Sequence, residues 1–139
     1  MLKTRLLHPE ILEALGGAGH GSRVLIADGN FPLATHSNPA ARRVFLNLAP
    51  GMLTVTDVLE VLLDAIPIEA IHVMAPDSGD APAVHDAVRR LAPDAPFQQL
   101  GRFDFYDAAR GPDVALAIAT GEGRIYANVL VTIGVVLPG

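Results

Sequence analysis

Residues 23–29, RVLIADG, decide the fold of this chain, because a run of four apolar side chains ends at an Asp-Gly pair. A short apolar run without alternation is typical of a strand that is covered on both faces. The Asp-Gly pair predicts a turn, which places Asp28 at the carboxyl end of this strand. Similar runs at residues 68–76 and 114–120 predict two more strands buried on both faces.

Helical patterns lie between these strands. Pro9 suits the first turn of a helix over residues 8–17, and Thr54 and Asp57 have capping-box spacing at the start of a helix over residues 54–66. Strands that are apolar on both faces need helices on both sides, so we predict a single α/β domain over residues 1–139 with a central sheet flanked by helices on both sides. The remaining predicted elements are a strand over residues 44–48, a helix opened by Asp80 and Pro82 with an apolar face of Val84, Ala87, Val88 and Leu91, an extended piece over residues 97–103, a short helix over residues 103–111 and a strand over residues 126–136.

The composition limits the classes of partner. Half of the 139 residues are hydrophobic and only 18% are charged, against about 25% charged in an average soluble protein. Too little charge is available to cover the surface, so we expect a homo-oligomer. The net charge of −5 and the lack of a basic run argue against a nucleic-acid partner. The absence of cysteine excludes disulfides and thiol catalysis.

The apolar runs of the sequence do not predict a membrane segment. Residues 1–15 carry charges throughout, unlike the apolar centre of a secretory signal. No apolar run approaches the roughly 18 residues that a membrane span requires. We therefore expect a cytoplasmic protein without membrane insertion.

The motif search predicts no cofactor and no metal. The glycine cluster at residues 16–22 follows a predicted helix and precedes a strand, whereas phosphate-binding loops follow a strand and open a helix. The five histidines form no H-x-H or H-E-x-x-H pattern, and no G-x-S-x-G segment marks a serine nucleophile. Acid/base chemistry without a cofactor, or simple binding, remains.

His20 and Asp28 are the first candidates for such a site. His20 stands between two glycines, so a ligand can approach its imidazole closely, and histidine can exchange protons around neutral pH. Spacing alone nevertheless favours a loop histidine that hydrogen-bonds to backbone. Asp28 lies where open α/β sheets place ligand groups, although an ordinary Asp-Gly turn explains it equally well.

Two further groups carry polar side chains in suitable surroundings. Arg102 precedes aromatic residues at positions 103, 105 and 106, an arrangement that can hold a polar ring between apolar faces and hydrogen-bond donors. Tyr126 and Asn128 alternate along the last predicted strand and are expected on one face. The purely structural interpretations are a solvent-exposed arginine at position 102 and polar residues at the start of a strand for Tyr126 and Asn128.

The other histidines are weaker candidates. His72 lies between apolar residues in a strand and is expected in the core or at an interface. His36 lies in a loop. His85 shares its predicted helix with several charged residues, which predicts a solvent-exposed face.

Four segments in order carry a family resemblance: MLKT followed by a Pro-Glu-opened helix, GHG and VLIADGNFP within residues 19–32, GRFDFYDAA at residues 101–109, and TGEGRIYANVLVTIGV at residues 120–135. Together they resemble the ribose pyranase and fucose mutarotase family (RbsD/FucU) along nearly the whole chain. The Arg-Phe-x-Phe-Tyr run is similar to the fucose branch. The resemblance implies a cofactor-free enzyme that interconverts ring forms of a free monosaccharide, in a ring-shaped homo-oligomer for which we expect ten subunits. It implies a catalytic role for His20 and sugar-binding roles for Asp28, Arg102, Tyr126, Ala127 and Asn128.

The two ends of the first strand raise a geometric question. At about 3.3 Å per residue, an extended strand separates His20 from Asp28 by roughly 15–20 Å, several times the reach of one sugar. Either the flanking glycines let His20 fold back along the strand, or the pocket lies between subunits. We expect the second arrangement, with His20 and Asp28 contributed by different copies. We expect a fucose-type monosaccharide mutarotase, with a ribose-type pyranase, a non-catalytic sugar-binding module and a purely structural ring subunit as the alternatives.

Overall fold

Five helices and six strands alternate along the chain until the last two strands, in a computed structural model that describes all residues 1–139. In chain order they are α1 (Pro9–Gly17), β1 (Arg23–Ala27), α2 (Leu33–His36), β2 (Arg42–Phe45), α3 (Val55–Leu63), β3 (Ile68–Met74), α4 (Ala83–Leu91), β4 (Phe97–Leu100), α5 (Arg102–Ala109), β5 (Val114–Ala119) and β6 (Val129–Ile133).

The strands form one mixed sheet in the order β2-β5-β1-β6-β3-β4. β5 pairs in parallel with both β1 and β2, and β3 pairs in parallel with β4. β6 lies between β1 and β3 and is antiparallel to both. Consequently the carboxyl ends of five strands meet the amino end of β6 at one edge of the sheet, which we call the carboxyl edge.

Each face of the sheet is covered by helices, because successive side chains of a strand point to opposite faces. Val24 and Ile26 belong to a core that includes residues of α1, α3 and α4. Leu25 and Ala27 belong to a second core, with residues of α2 and α5. The predicted α/β domain with helices on both sides of a central sheet is confirmed.

Three elements differ from the sequence prediction. β2 ends at Phe45 rather than reaching residue 48, because its only neighbour, β5, ends opposite Phe45. β6 begins at Val129 rather than at residue 126, because Tyr126 has a left-handed backbone with φ 57° that no strand accommodates. The four-residue helix α2 was not predicted, since one turn is too short to show a helical period.

The helix starts agree better with the sequence. The capping box of α3 is present, since the Thr54 side chain accepts from the Asp57 N–H while the Asp57 side chain accepts from the Thr54 N–H.

No helix of the structure combines the length and the apolar character needed to cross a bilayer.

Candidate functional site

A cavity of about 280 Å³ opens at the carboxyl edge of the sheet. Its volume is close to the lower end of the range for small-molecule sites, about 300–1,000 Å³. Four segments build it: the end of β1, the end of β3, the start of α5 and the loop before β6. The lining residues are Asp28, Asn30, Phe31, Met74, Arg102, Tyr106, Ile125, Tyr126 and Asn128.

Asp28 and Asn128 form a buried, mutually hydrogen-bonded pair in this cavity. The Asn128 side-chain oxygen accepts from the Asp28 N–H at 2.7 Å, and its amide nitrogen donates to the Asp28 carboxylate at 3.2 Å. Further N–H groups donate to the carboxylate from Asn30 at 3.0 Å and from Ala127 at 3.4 Å. The carboxyl group is therefore held in one orientation.

Burial raises the pKa of Asp28 above its ordinary value. The hydrogen bonds from Asn30, Ala127 and Phe31 oppose this shift, and the nearby charge of Glu122 adds to it. A carboxyl group with a raised pKa holds a proton more readily than an exposed one, which suits a group that exchanges hydrogen bonds or protons with a polar ligand.

Arg102 and Tyr106 form one wall of the cavity, one turn apart on α5. The Arg102 Nε donates to the Tyr106 hydroxyl at 3.3 Å, and the Tyr106 ring packs edge-on against Phe31 with ring centroids 5.4 Å apart. Of the three aromatic residues expected beside the arginine, only Tyr106 lines the cavity. Phe105 is fully buried in the core, and Phe103 is 70% exposed.

Tyr126 and Asn128 both line the cavity, but strand alternation is not the reason. Both residues precede β6, and the left-handed backbone of Tyr126 turns the chain there. Ala127 between them is buried and contributes its N–H group to the Asp28 carboxylate. The structure thus brings Asp28, Arg102, Tyr126, Ala127 and Asn128 together.

His20 lies apart from this cluster, at the opposite edge of the sheet. Its loop pairs with the end of β6, where the Gly21 N–H donates to the Ile133 carbonyl at 2.9 Å. The His20 Nε2 lies 2.8 Å from the Glu69 Oε1 at the start of β3, and the His20 side chain is 58% exposed. Within one copy of the chain, His20 therefore does not reach the cavity that Asp28 lines.

The prediction for His85 is wrong. His85 is 1% exposed, and its Nε2 lies 3.0 Å from the carbonyl oxygen of Tyr126. Helix α4 presents this histidine to the protein interior together with Val84 and Val88 rather than with its charged residues.

His72 is partly buried and its Nε2 contacts the Gln98 side chain at 3.0 Å, while burial lowers its pKa. His36, expected in a loop, is the last residue of α2, and its ring packs against Tyr106 with centroids 5.1 Å apart.

Sequence reasoning missed several lining residues and one ion pair with a buried carboxylate. Met74 stands at the end of β3, so the rule that ligands bind at carboxyl ends of strands could have found it. Glu122 is buried and bound by the Arg124 guanidinium at 2.8 Å. Burial acts to raise the pKa of Glu122, but the hydrogen bonds from the Arg124 side chain and backbone and from the Val55 N–H hold it below its ordinary value. No local pattern marked this pair.

No group of three or more His, Cys, Asp or Glu side chains is placed to hold a metal ion. What the cavity offers instead is a carboxyl group, a guanidinium, two phenols and amide groups around an aromatic wall. Such a set can hydrogen-bond a small molecule that carries several hydroxyl groups.

Several known proteins resemble this chain along nearly its whole length. A model of the RbsD / FucU transport protein family matches residues 1–136. The D-ribose pyranase of Symbiobacterium thermophilum is 34% identical over 136 residues, which cover 97% of this chain and 98% of that protein. The fucose mutarotase of Streptococcus pneumoniae, solved in complex with L-fucose, superposes with a TM-score of 0.82 at 27% identity, covering 98% of this chain and all of that one. Bacillus subtilis RbsD complexed with D-ribose has the same TM-score at 24% identity, covers 99% of this chain and all of that one, and supports the fold alone.

Proposed function

Because the chain belongs to the RbsD / FucU transport protein family, we propose that it is a cofactor-free monosaccharide mutarotase that interconverts the α and β anomers of a free sugar such as L-fucose. One observation carries the proposal: a cavity at the carboxyl edge gathers Asp28, Arg102, Tyr126 and Asn128 around a space of small-molecule size. Relatives that resemble the chain along nearly its whole length include a D-ribose pyranase and a fucose mutarotase. The expected cytoplasmic location stays a prediction.

Ring opening needs two proton transfers, and ring closure reverses them. A base removes the proton of the anomeric hydroxyl while an acid protonates the ring oxygen, and the bond between the anomeric carbon and the ring oxygen breaks. The open-chain aldehyde rotates about its carbon–carbon bond, and the ring closes on the other face of the carbonyl with both protons returned. We assign the principal acid/base role to His20.

Sugar binding is assigned to the residues around Asp28. The Asp28 carboxylate is already oriented by Asn128 and by the Ala127 N–H, so it can accept a sugar hydroxyl without reorganising. Arg102 directs its guanidinium toward the same space and uses only its Nε on Tyr106. Tyr126 contributes its phenol, and Asn128 serves both to hold Asp28 and to line the cavity.

The distance between His20 and the cavity leads to a pocket shared by two copies of the chain. The side chains of His20 and Glu69 are about half exposed, as expected for groups that await a partner surface. Two large apolar side chains stand exposed beside the cavity, Ile125 at 63% and Phe103 at 70%. We propose that a second copy covers this rim and contributes its own His20 in a ring-shaped homo-oligomer, with ten subunits as the expected count.

Within that pocket, Glu69 has a definite use. Its carboxylate accepts from the His20 Nε2, which assigns the hydrogen to that nitrogen and leaves Nδ1 with a free lone pair for the sugar. Of the two sugars, L-fucose is favoured because the Arg-Phe-x-Phe-Tyr run resembles the fucose branch of the family. Two residues of this run, Arg102 and Tyr106, line the cavity. D-ribose, with interconversion of its pyranose and furanose forms, is the second candidate, supported by the 34% identity to a D-ribose pyranase.

Saturation-transfer NMR tests the proposal, because it follows the exchange of sugar ring forms directly. We expect the wild-type protein to accelerate exchange of L-fucose anomers above the buffer rate, and His20→Ala to lose about 10²–10⁴-fold of that acceleration. D-ribose, measured in parallel, decides between the two candidate sugars. His8→Ala is the matched control, since His8 caps α1 and lines no part of the cavity, so exchange should stay unchanged. A wild-type protein that binds sugar but accelerates neither exchange is a binding module, and the enzyme proposal then fails.

A further inference from the structure

His85 lies directly behind the candidate sugar site, although it lines no part of the cavity. Its side chain is 1% exposed, and its Nε2 lies 3.0 Å from the carbonyl oxygen of Tyr126. A carbonyl oxygen can only accept a hydrogen bond, so the imidazole carries a hydrogen on Nε2 and donates it. The other ring nitrogen, Nδ1, is buried and has no partner. Its contact with Tyr126 is thus the single polar interaction of this side chain.

The accepting carbonyl belongs to a peptide group with a second role. The N–H of the same Tyr126–Ala127 peptide donates to the Asp28 carboxylate at 3.4 Å. One rigid peptide plane therefore joins the imidazole of His85 on one side to the carboxylate of Asp28 on the other. Donation to the carbonyl polarises the peptide and strengthens its N–H as a donor, because hydrogen bonds in a chain reinforce one another.

The backbone at this peptide needs such support. Tyr126 has φ 57°, and a residue with a bulky side chain adopts the left-handed region only where its surroundings hold it there. Rotation about the N–Cα bond of Tyr126 to relieve this conformation would redirect its phenol and displace the following peptide, which would withdraw the Ala127 N–H from Asp28. The bond from His85 opposes that rotation.

We infer that His85 is a positioning residue of the sugar site, which fixes the Tyr126–Ala127 peptide and through it the direction of the Tyr126 side chain and of the Asp28 carboxylate. The sugar readout of this inference rests on the proposed function. The imidazole also packs against the ring of Phe97, with centroids 6.2 Å apart, and makes no second hydrogen bond. An apolar side chain can consequently replace its bulk, and only the donated hydrogen bond is lost.

Three variants separate positioning from simple packing. His85→Leu removes the donor and replaces the imidazole by an apolar side chain of similar size. His85→Gln restores an N–H donor, because its side-chain amide extends about as far as the imidazole Nε2. Val88→Ala is the matched control, because Val88 is a fully buried residue of the same helix and has no hydrogen bond to the site. We expect His85→Leu to weaken binding of L-fucose or D-ribose, whichever the wild-type protein takes, by about tenfold, the loss of one hydrogen bond. His85→Gln should recover most of this affinity. Val88→Ala should lower the melting temperature and leave the sugar affinity unchanged.

A second readout does not depend on any sugar. The chain has two tyrosines, Tyr106 and Tyr126, so protein labelled with carbonyl-¹³C tyrosine gives two signals. Solid-state NMR should show the Tyr126 carbonyl shifted in His85→Leu and the Tyr106 carbonyl unchanged. An unmoved Tyr126 signal, or an affinity loss in Val88→Ala equal to that in His85→Leu, overturns the inference. If the wild-type protein binds neither sugar, the proposed function fails, and the carbonyl signal alone decides whether His85 holds Tyr126.

Discussion

At the scale of single residues, two buried carboxyl groups lie near each other with opposite electrostatic surroundings. Asp28 has no cationic partner, and burial raises its pKa above the ordinary 3.8. Glu122 accepts from the guanidinium of Arg124, which holds its pKa below the ordinary 4.5 against the effect of burial. Asp28 is thereby suited to contact a ligand in the cavity, whereas Glu122 anchors the loop between β5 and β6.

The pH dependence of stability should reveal the raised pKa of Asp28. Between about pH 4 and the folded-state pKa, the native state binds more protons at this group than the unfolded state does, so stability falls as the pH rises through that window. Asp28→Asn removes the titration, and its free energy of unfolding should lack this falling component. Urea denaturation from pH 4 to pH 8 measures it. Equal pH slopes for the variant and the wild type would contradict the assignment.

Glu122→Gln provides the comparison with the opposite sign. Because the folded-state pKa of Glu122 is lowered, its contribution to stability is present above pH 4.5 and is lost as the pH falls through the folded-state pKa. The Gln variant should therefore be less sensitive to acid than the wild type, while its behaviour between pH 5 and pH 8 stays parallel to the wild type.

At the scale of elements, the loop between β5 and β6 is attached to the start of α3. The Glu122 carboxylate accepts from the Val55 N–H at 3.1 Å, which satisfies a free donor in the first turn of α3. Gly121 lies against the turn before α3, where its N–H donates to the Leu53 carbonyl at 3.0 Å. The loop then continues to Tyr126, so its attachment positions part of the cavity wall.

Two glycines of this loop offer a matched test. A Cβ at Gly121 would collide with the backbone carbonyl oxygens of Ala49 and Met52, whereas a Cβ at Gly123 would meet no atom. We expect Gly121→Ala to lower the free energy of unfolding by about 1–3 kcal/mol and to weaken sugar binding, because backbone must move to relieve the contact. Gly123→Ala should stay within about 0.5 kcal/mol of the wild type. Thermal denaturation and sugar titration of both variants measure the difference, and equal behaviour would show that the loop tolerates displacement.

At the scale of the whole molecule, the question is whether one copy of the chain can hold a complete site. β1 spans the sheet, with His20 before its first residue and Asp28 after its last. The proposed second copy would cover both the exposed His20–Glu69 pair and the exposed apolar rim of the cavity.

Mixed oligomers test the shared pocket. His20→Ala and Asp28→Asn should each be inactive alone, but subunits unfolded together and refolded as a mixture should recover about a quarter of the wild-type exchange rate, because random pairing unites both native residues in that fraction of pockets. The same two variants combined as preformed oligomers serve as the control and should stay inactive. Refolded mixtures without recovery would place both residues in a single subunit.

Sequence patterns alone determined the features that depend on neighbouring residues. The strand at residues 23–27, the capping box of Thr54 and Asp57 and the helix after Gly101 follow from local apolar periods and local hydrogen bonds. The ordered motifs were also sufficient to identify the family. The local structural patterns and the family motifs both depend on residues that lie close together in the sequence.

Only the tertiary structure decided where those pieces meet. The insertion of β6 between β1 and β3 brings Asn128 against Asp28, a hundred residues apart, and the packing of α4 buries His85 behind Tyr126. Strand order and helix packing are set by the burial of apolar surface between distant segments, which no short window of sequence contains. The extended length of β1 separates His20 from Asp28 for a local reason, but only the folded sheet places Glu69 beside the histidine and a sugar-sized cavity beside the aspartate.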